Sequence, residues 1–174
     1  MKHKKLAIFS GVVGAAGLTL AIGAVAEAHH HDQPNQDEID FAAGASDLMV
    51  NTVVAALVQE IGETTPANAE QGKLSISTVF DDHNHNMRLV GRLQPLRRND
   101  YPEDRFEYEA LQKAMTGTAA TSVERIDGQW YYRRSVPLSN FAPQCQTCHP
   151  NFAPLASTDW VGALMLRLPI DTDH

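Results

Sequence analysis

The chain has 174 residues, of which 43% are hydrophobic and 20% charged, and its formal net charge is −7. This length fits a single domain, and the composition excludes a wholly disordered chain, a collagen-like chain and a protein with many membrane spans. The negative charge argues against nucleic acid as a partner, because proteins that bind phosphate backbones usually present a basic face.

The first 28 residues are typical of a secretory signal peptide. A short cationic start (MKHKK) precedes an uncharged apolar run over residues 6–25, and Ala26-Glu27-Ala28 forms a small-residue exit. We expect cleavage after Ala28, with Ala26 as the second choice, and an uncleaved membrane anchor is the alternative. Cleavage removes three lysines and one glutamate from 14 basic and 21 acidic residues, which leaves a net charge of −9. The sequence therefore predicts a periplasmic or otherwise exported chain with no stable membrane insertion.

The mature chain is predicted to begin with a polar, flexible segment over residues 29–46, ahead of one domain over residues 47–171. A helix is predicted over residues 47–61, because apolar residues recur there at spacings of three and four. Residues 73–80 and 87–96 alternate between apolar and polar and are predicted as strands, with a polar loop over residues 81–86 between them.

The second half of the domain is predicted to open with a helix from Pro102 that ends at Gly117. Strands over residues 120–126 and 129–136 follow, joined by the two-residue turn Asp127-Gly128. Residues 137–158 are predicted to be irregular, and a last strand over residues 160–168 is apolar on both faces and therefore central. The order of elements predicts an α+β fold, an antiparallel sheet with helices on one side.

The chain's two cysteines lie in the segment Cys145-Gln146-Thr147-Cys148-His149, which is the C-x-x-C-H signature of haem c attachment. Two thiols at this spacing can each bond to one of the two vinyl groups on one porphyrin edge, and the next histidine can bind the iron. The sequence therefore predicts one covalently bound haem c, held by Cys145 and Cys148, with His149 as the proximal iron ligand.

The two cysteines have two alternative uses. A thioredoxin-like redox disulfide begins a helix that follows a strand, and no such helix is predicted between Pro143 and Pro150. A structural zinc site would need two further cysteine or histidine ligands, and the chain has no second C-x-x-C pair. Haem attachment is the favoured interpretation, because it requires an export signal and the chain begins with a sequence typical of one.

Several short segments occur in a fixed order around the motif: Arg97-Arg98-Asn99-Asp100-Tyr101-Pro102, Phe106-Glu107-Tyr108-Glu109-Ala110-Leu111, Tyr131-Tyr132-Arg133, CQTCH, Trp160-Val161-Gly162-Ala163-Leu164 and Leu168-Pro169-Ile170. In this order they resemble the exported single-haem c-type proteins with a PAS-like fold, a family long filed as a domain of unknown function. The resemblance covers residues 47–171. It implies a PAS-like antiparallel sheet with flanking helices and a role in redox or small-molecule sensing.

The resemblance also implies that Arg97, Arg98 and Arg133 lie near the haem. An arginine there is a good bidentate partner for a haem propionate, and the alternative for each is a surface ion pair with a carboxylate. Some members of the family place a cysteine opposite the proximal histidine. This chain has no cysteine outside the motif, so that ligand does not carry over.

The candidates for a distal iron ligand are His83 or His85 in the polar loop, with Met87 as the thioether alternative. A six-coordinate iron would favour electron transfer or redox sensing with a partner protein. An open distal position would favour a sensor of a gas or another small-molecule ligand. A distal histidine beside Arg88 or Arg92 would favour a small peroxidase-like enzyme.

Overall fold

The structure is a computed structural model that describes residues 33–81, 86–93 and 100–172. The predicted signal peptide, His83, His85, Arg97 and Arg98 lie outside the described residues. The elements in chain order are α1 (Gln36–Gly62), α2 (Ala69–Asp81), β1 (Met87–Gly91), α3 (Arg105–Ala114), β2 (Ala120–Ile126), β3 (Gln129–Ser139), α4 (Cys145–Cys148), a 3-10 turn (Pro150–Phe152) and β4 (Trp160–Ile170).

The strands form one open antiparallel sheet in the order β1-β4-β3-β2. Strand β4 lies between β1 and β3, so that Leu164 is flanked by Leu89 on one side and Val136 on the other. The prediction that the last strand is central is confirmed.

Helices cover both faces of this sheet. Leu164 and Leu166 of β4 pack with α1 and α2, whereas Ala163 and Met165 pack with α3 on the other face. Successive residues of a strand point to opposite faces of the sheet, so the continuous apolar run of β4 is buried on both faces. The predicted α+β class with an antiparallel sheet and flanking helices is confirmed, but the prediction of helices on one side only was wrong.

Helix α1 begins at Gln36, well before the predicted start at Asp47. A capping box starts it: the Asn35 side chain accepts a hydrogen bond from the Glu38 N–H at 3.0 Å, and the Asn35 N–H donates to the Glu38 carboxylate at 2.8 Å. Residues 36–46 are therefore helical, which corrects the prediction of a flexible segment there. Among the described helices, α1 is the one long and apolar enough to cross a membrane, yet its buried side, which includes Ala42, packs on the sheet.

Residues 69–81 form helix α2, and the prediction of a strand over residues 73–80 was wrong. The inward positions are Ala69, Gly72, Ile76 and Phe80, which recur every three or four residues and form one face of a helix. The alternation that suggested a strand was misleading, because Leu74 is 61% exposed.

The hairpin between β2 and β3 turns at Asp127 and Gly128, which have φ angles of 50° and 89°. Two successive residues with positive φ are typical of the tight turn predicted from this pair. The two strands match the prediction, except that β3 continues to Ser139.

Helix α3 begins at Arg105 rather than at Pro102. The Asp104 side chain caps it by accepting a hydrogen bond from the Glu107 N–H at 2.9 Å. Gly117, with a φ of 77°, follows the helix as predicted and leads the chain into β2.

Candidate functional site

The C-x-x-C-H segment lies in the connection between β3 and β4, residues 140–159, which we call the motif loop. Asn140 closes this loop at its base: its N–H donates to the Asp159 carbonyl at 2.8 Å, and its side-chain amide donates to the Leu155 carbonyl at 3.1 Å. Only 4% of Asn140 is exposed. Both ends of the loop are therefore held together at the sheet, which fixes the position of the motif.

Within the motif loop, Cys145–Cys148 form α4, a single helical turn. The His149 N–H donates to the Cys145 carbonyl at 2.9 Å, and the Gln144 side chain donates to the Gly62 carbonyl at the end of α1 at 3.3 Å. The prediction that this stretch is wholly irregular was wrong at the motif itself. The turn places the two thiols and the imidazole within one short segment anchored to α1.

Cys145, Cys148 and His149 line one cavity of about 450 Å³. This volume is in the usual range of about 300–1,000 Å³ for small-molecule and cofactor sites. The cavity lies on the α1–α2 side of the sheet, and its walls are mainly aliphatic and aromatic, with side chains that include Leu57, Ile61, Ile76, Leu89, Leu138, Phe141, Phe152 and Val161. An apolar chamber therefore adjoins the motif.

Both cysteines are free and half-buried. Burial raises the pKa of the Cys145 thiol above its ordinary value, so this sulfur is protonated at neutral pH. A redox-active C-x-x-C pair depends on a thiol whose pKa is lowered. The raised pKa of Cys145 is opposite to what a disulfide-exchange role favours, although a helical turn is present at the motif.

His149 is half-buried, and its ring stacks on Phe152 with 4.7 Å between ring centroids and 13° between planes. Burial lowers the pKa of His149, while the nearby charges of Asp100 and Lys73 act in opposite directions, raising and lowering it respectively. The imidazole is therefore neutral at pH 7, the form that binds a metal. Its Nδ1 atom is buried and has no hydrogen-bond partner among the described residues.

Two charged side chains also line the cavity, Lys73 from α2 and Asp100. The Lys73 ammonium pairs with Glu70 at 2.7 Å in an exposed contact along the helix. Neither Lys73 nor Asp100 was predicted from the sequence to belong to a site. A prediction of a helix over α2 would have placed Lys73 beside the inward-facing Gly72 and Ile76. The segment was predicted as a strand instead, so this position of Lys73 was not anticipated.

Arg133 does not line the cavity. It is 4% exposed, and its Nη1 atom lies 2.8 Å from the Asp104 carboxylate and 3.0 Å from the Glu124 carboxylate. Its guanidinium also lies 4.4 Å from the centre of the Phe106 ring. Of the two interpretations of this arginine, the structure shows the pairing with carboxylates. The Arg133 side chain is buried, whereas the side chains of Asp104 and Glu124 are 40% and 35% exposed.

Arg88 belongs to the same buried group of charges. Its Nη1 atom lies 2.8 Å from the Glu107 carboxylate and 2.9 Å from that of Glu103, and Nη2 donates to the Tyr101 carbonyl at 2.9 Å. We call this group the charge network: Arg88, Glu103, Asp104, Glu107, Glu124 and Arg133. Because Arg88 is held there, it is not placed as a distal arginine beside the cavity. Arg92, the other arginine that the peroxidase-like hypothesis named, does not line the cavity either.

Met87, the thioether candidate, is 2% exposed and packs in the core formed with α1 and α2. It is absent from the side chains that line the cavity in the described part of the chain. The remaining candidates from the sequence, His83, His85, Arg97 and Arg98, lie outside the described residues. The structure therefore brings Cys145, Cys148 and His149 together and places Arg133 and Met87 elsewhere.

Over residues 33–81, 86–93 and 100–172, no group of three or more His, Cys, Asp or Glu side chains is placed to hold a metal ion by itself. A haem c site is of another kind, because its cysteines bond to vinyl carbons and the porphyrin supplies four of the iron ligands.

Comparison with known proteins found no family model that matches the chain and no curated protein that it matches significantly.

Proposed function

We propose that this protein is an exported c-type haem protein with one covalently bound haem, acting in electron transfer or redox sensing. One observation carries the proposal: the two thiols and the imidazole of the C-x-x-C-H motif line the same apolar cavity. The family resemblance and the signal-like start of the chain support the same function. The open sheet in the order β1-β4-β3-β2 with flanking helices is compatible with a PAS-like fold.

The residues present fit a haem. Cys145 and Cys148 are unpaired, as thioether attachment requires, and His149 is neutral and so able to bind iron through a ring nitrogen. The cavity is large enough for a small-molecule cofactor and has walls that suit the apolar body of a porphyrin. When bound, the haem supplies a metal centre that gains and loses one electron.

The chain's own residues would hold and shield this centre. Stacking against Phe152 fixes the plane of the His149 ring, and the clamp at Asn140 holds the loop that carries it. The mostly apolar walls would limit the water that reaches the haem. Exclusion of water and axial ligation by histidine are among the features by which a protein tunes the reduction potential of a haem.

A haem sensor of a gas or another small ligand is the second candidate. Among the described residues that line the cavity, His149 is the one imidazole, and no methionine side chain is present. This favours a distal position that the described part of the chain leaves open. The partner would then be a small-molecule ligand instead of a redox protein.

The test is expression of the full chain with the haem c attachment machinery, followed by mass spectrometry under denaturing conditions. The expected mass is that of the chain cleaved after Ala28 plus one haem, and the double variant Cys145→Ala/Cys148→Ala should lose the haem. His149→Ala should keep the thioether bonds but change the absorption bands that report iron ligation. A mass without haem in the wild-type protein, alongside a control cytochrome that is matured, would contradict the proposal.

The same preparation separates the two candidate functions. A low-spin, six-coordinate spectrum in both oxidation states is expected for electron transfer or redox sensing. A high-spin spectrum that responds to carbon monoxide or another small ligand is expected for a sensor.

A further inference from the structure

Polar side chains, Lys73 and Asp100 among them, interrupt the otherwise apolar wall of the cavity. Lys73, on the exposed side of α2, lines the cavity next to the inward-facing Gly72 and close to Ile76. Helix α2 packs directly against α4, which carries the thiols. A positive charge is therefore present where the cavity opens to water near the motif.

The present partner of Lys73 holds it weakly. The ammonium contacts Glu70 at 2.7 Å, but the Lys73 side chain is 47% exposed and the Glu70 side chain is 86% exposed. Ion pairs this exposed contribute little, because water screens the charges and both side chains lose rotamer freedom. Lys73 can therefore exchange Glu70 for another anion without a large cost.

The buried cations Arg88 and Arg133 have partners elsewhere. Arg88 and Arg133 are surrounded by the carboxylates of the charge network on the α3 side of the sheet. Of the described residues that line the cavity, Lys73 is the one lysine or arginine.

We propose that Lys73 binds a carboxylate of the cofactor, a haem propionate, at the mouth of the cavity. This inference rests on the proposed function, because it concerns how the same cavity holds its haem. A haem is apolar over most of its surface and carries two carboxylates, so it needs an apolar chamber with a cation at the wet edge. The walls supply the first requirement and Lys73 supplies the second.

The test measures non-covalent binding in the Cys145→Ala/Cys148→Ala background, so that the thiols neither react with the probe nor coordinate iron. Haemin and its dimethyl ester, which has no free carboxylates, are titrated into the protein while the Soret band is followed. The variants are Lys73→Gln, Glu70→Gln, and Lys113→Gln as a matched control on α3. Circular dichroism checks that each variant is folded.

Lys73→Gln should weaken haemin binding by about three- to tenfold, a range typical of one charge-assisted contact at a partly exposed position. It should leave binding of the dimethyl ester unchanged. Glu70→Gln should bind haemin at least as tightly as the background, since it removes the competing anion, and Lys113→Gln should have no effect.

Equal affinities of the background protein and Lys73→Gln for haemin would overturn the inference, as would an equal loss for the dimethyl ester. If no variant bound haemin, the inference would also be wrong. Covalent attachment in the matured wild-type protein is measured separately by mass, so the proposed function and this inference are tested by different measurements.

Discussion

The two faces of the sheet differ in what they bury: one holds an apolar cavity and the other a group of charged side chains. The α1–α2 face holds the apolar cavity and the motif, whereas the α3 face holds the charge network. Strand β3 separates them residue by residue: Arg133 points into the network, and the next residue, Arg134, points to Ser46 and Asp47 of α1. The sheet thus keeps the strongest buried charges away from the thiols and the neutral imidazole.

This separation has a consequence for ligand binding. A buried arginine beside His149 would hold its imidazole neutral by repulsion but would also add a charge that an apolar ligand must desolvate. On the α3 face the same arginines are neutralised by four nearby carboxylates, those of Glu103, Asp104, Glu107 and Glu124. The network therefore confines these buried arginines to the α3 face, whereas the apolar cavity lies on the other face.

The largest effect should come from breaking the network at its most buried pair. Arg88→Ala leaves the Glu107 carboxylate, 6% exposed, without its closest cation, and should lower the free energy of unfolding by about 3–5 kcal/mol. Urea denaturation of the apo-protein measures this. Arg105→Ala, which breaks the exposed pair with Glu109, is the control and should change stability far less, because water screens that pair. Similar losses in the two variants would mean that the network is not a distinct stabilising unit.

The apolar face should respond to loss of volume. Leu164 is fully buried at the centre of β4, so Leu164→Ala should cost about 2–5 kcal/mol through lost burial and the cavity left behind. Leu74→Ala on α2 removes the same atoms from a side chain that is 61% exposed, and should be close to neutral. Thermal unfolding compares them, and a neutral Leu164→Ala would contradict the placement of β4 in the centre of the sheet.

The contrast also explains which parts of the fold were accessible from sequence. The last strand was recognised as central because both of its faces are apolar, and the Asp127-Gly128 turn was recognised because positive φ angles favour that pair. Helix α2 was missed because Leu74 and Ile76 alternate by chance, while the helical spacing from Ala69 to Phe80 includes a glycine. The early start of α1 was missed although Asn35 and Glu38 have the spacing of a capping box.

The site was only partly accessible for a related reason. The thiols and His149 are adjacent in sequence, so their spacing alone identified them. Lys73 and Asp100 line the cavity although they are distant from the motif in sequence. Arg133 does not line it, because its position in β3, opposite Arg167 of β4, directs its side chain into the charge network. Such placements depend on tertiary packing, which residue spacing does not encode.

A smaller effect should come from the close contact of β1 and β4 beside the cavity. A Cβ atom on Gly162 would lie 2.6 Å from the Val90 carbonyl oxygen, a backbone atom that cannot rotate away. Gly162→Ala should therefore cost about 1–3 kcal/mol and push the two strands apart. Gly44→Ala is the matched control: nothing lies within 4 Å of the added methyl group, and alanine should stabilise α1 by about 0.5–1 kcal/mol. Chemical denaturation should give shifts of opposite sign, and shifts of equal sign would contradict this.

The smallest effect concerns the pH dependence of the charge network. Burial by itself raises the pKa of Asp104. The hydrogen bonds from Arg133 and the Glu107 N–H, together with the positive charges of Arg133 and Arg167, outweigh this effect and lower the pKa below its ordinary value of 3.8. Between these two pKa values the unfolded chain binds more protons than the folded one, so stability rises with pH. The contribution of Asp104 is present above the ordinary pKa and is lost as the pH falls through the folded value.

Asp104→Asn isolates that contribution, because asparagine caps a helix about as well as aspartate and can still accept from the Glu107 N–H. The variant should therefore lose less stability than the wild-type protein when the pH is lowered from about 5 to about 3. Urea denaturation at each pH measures the difference. Glu109→Gln, an exposed substitution on the same helix, is the control and should follow the wild-type curve. Parallel curves for Asp104→Asn and the wild-type protein would mean that the Arg133–Asp104 pair does not couple folding to pH.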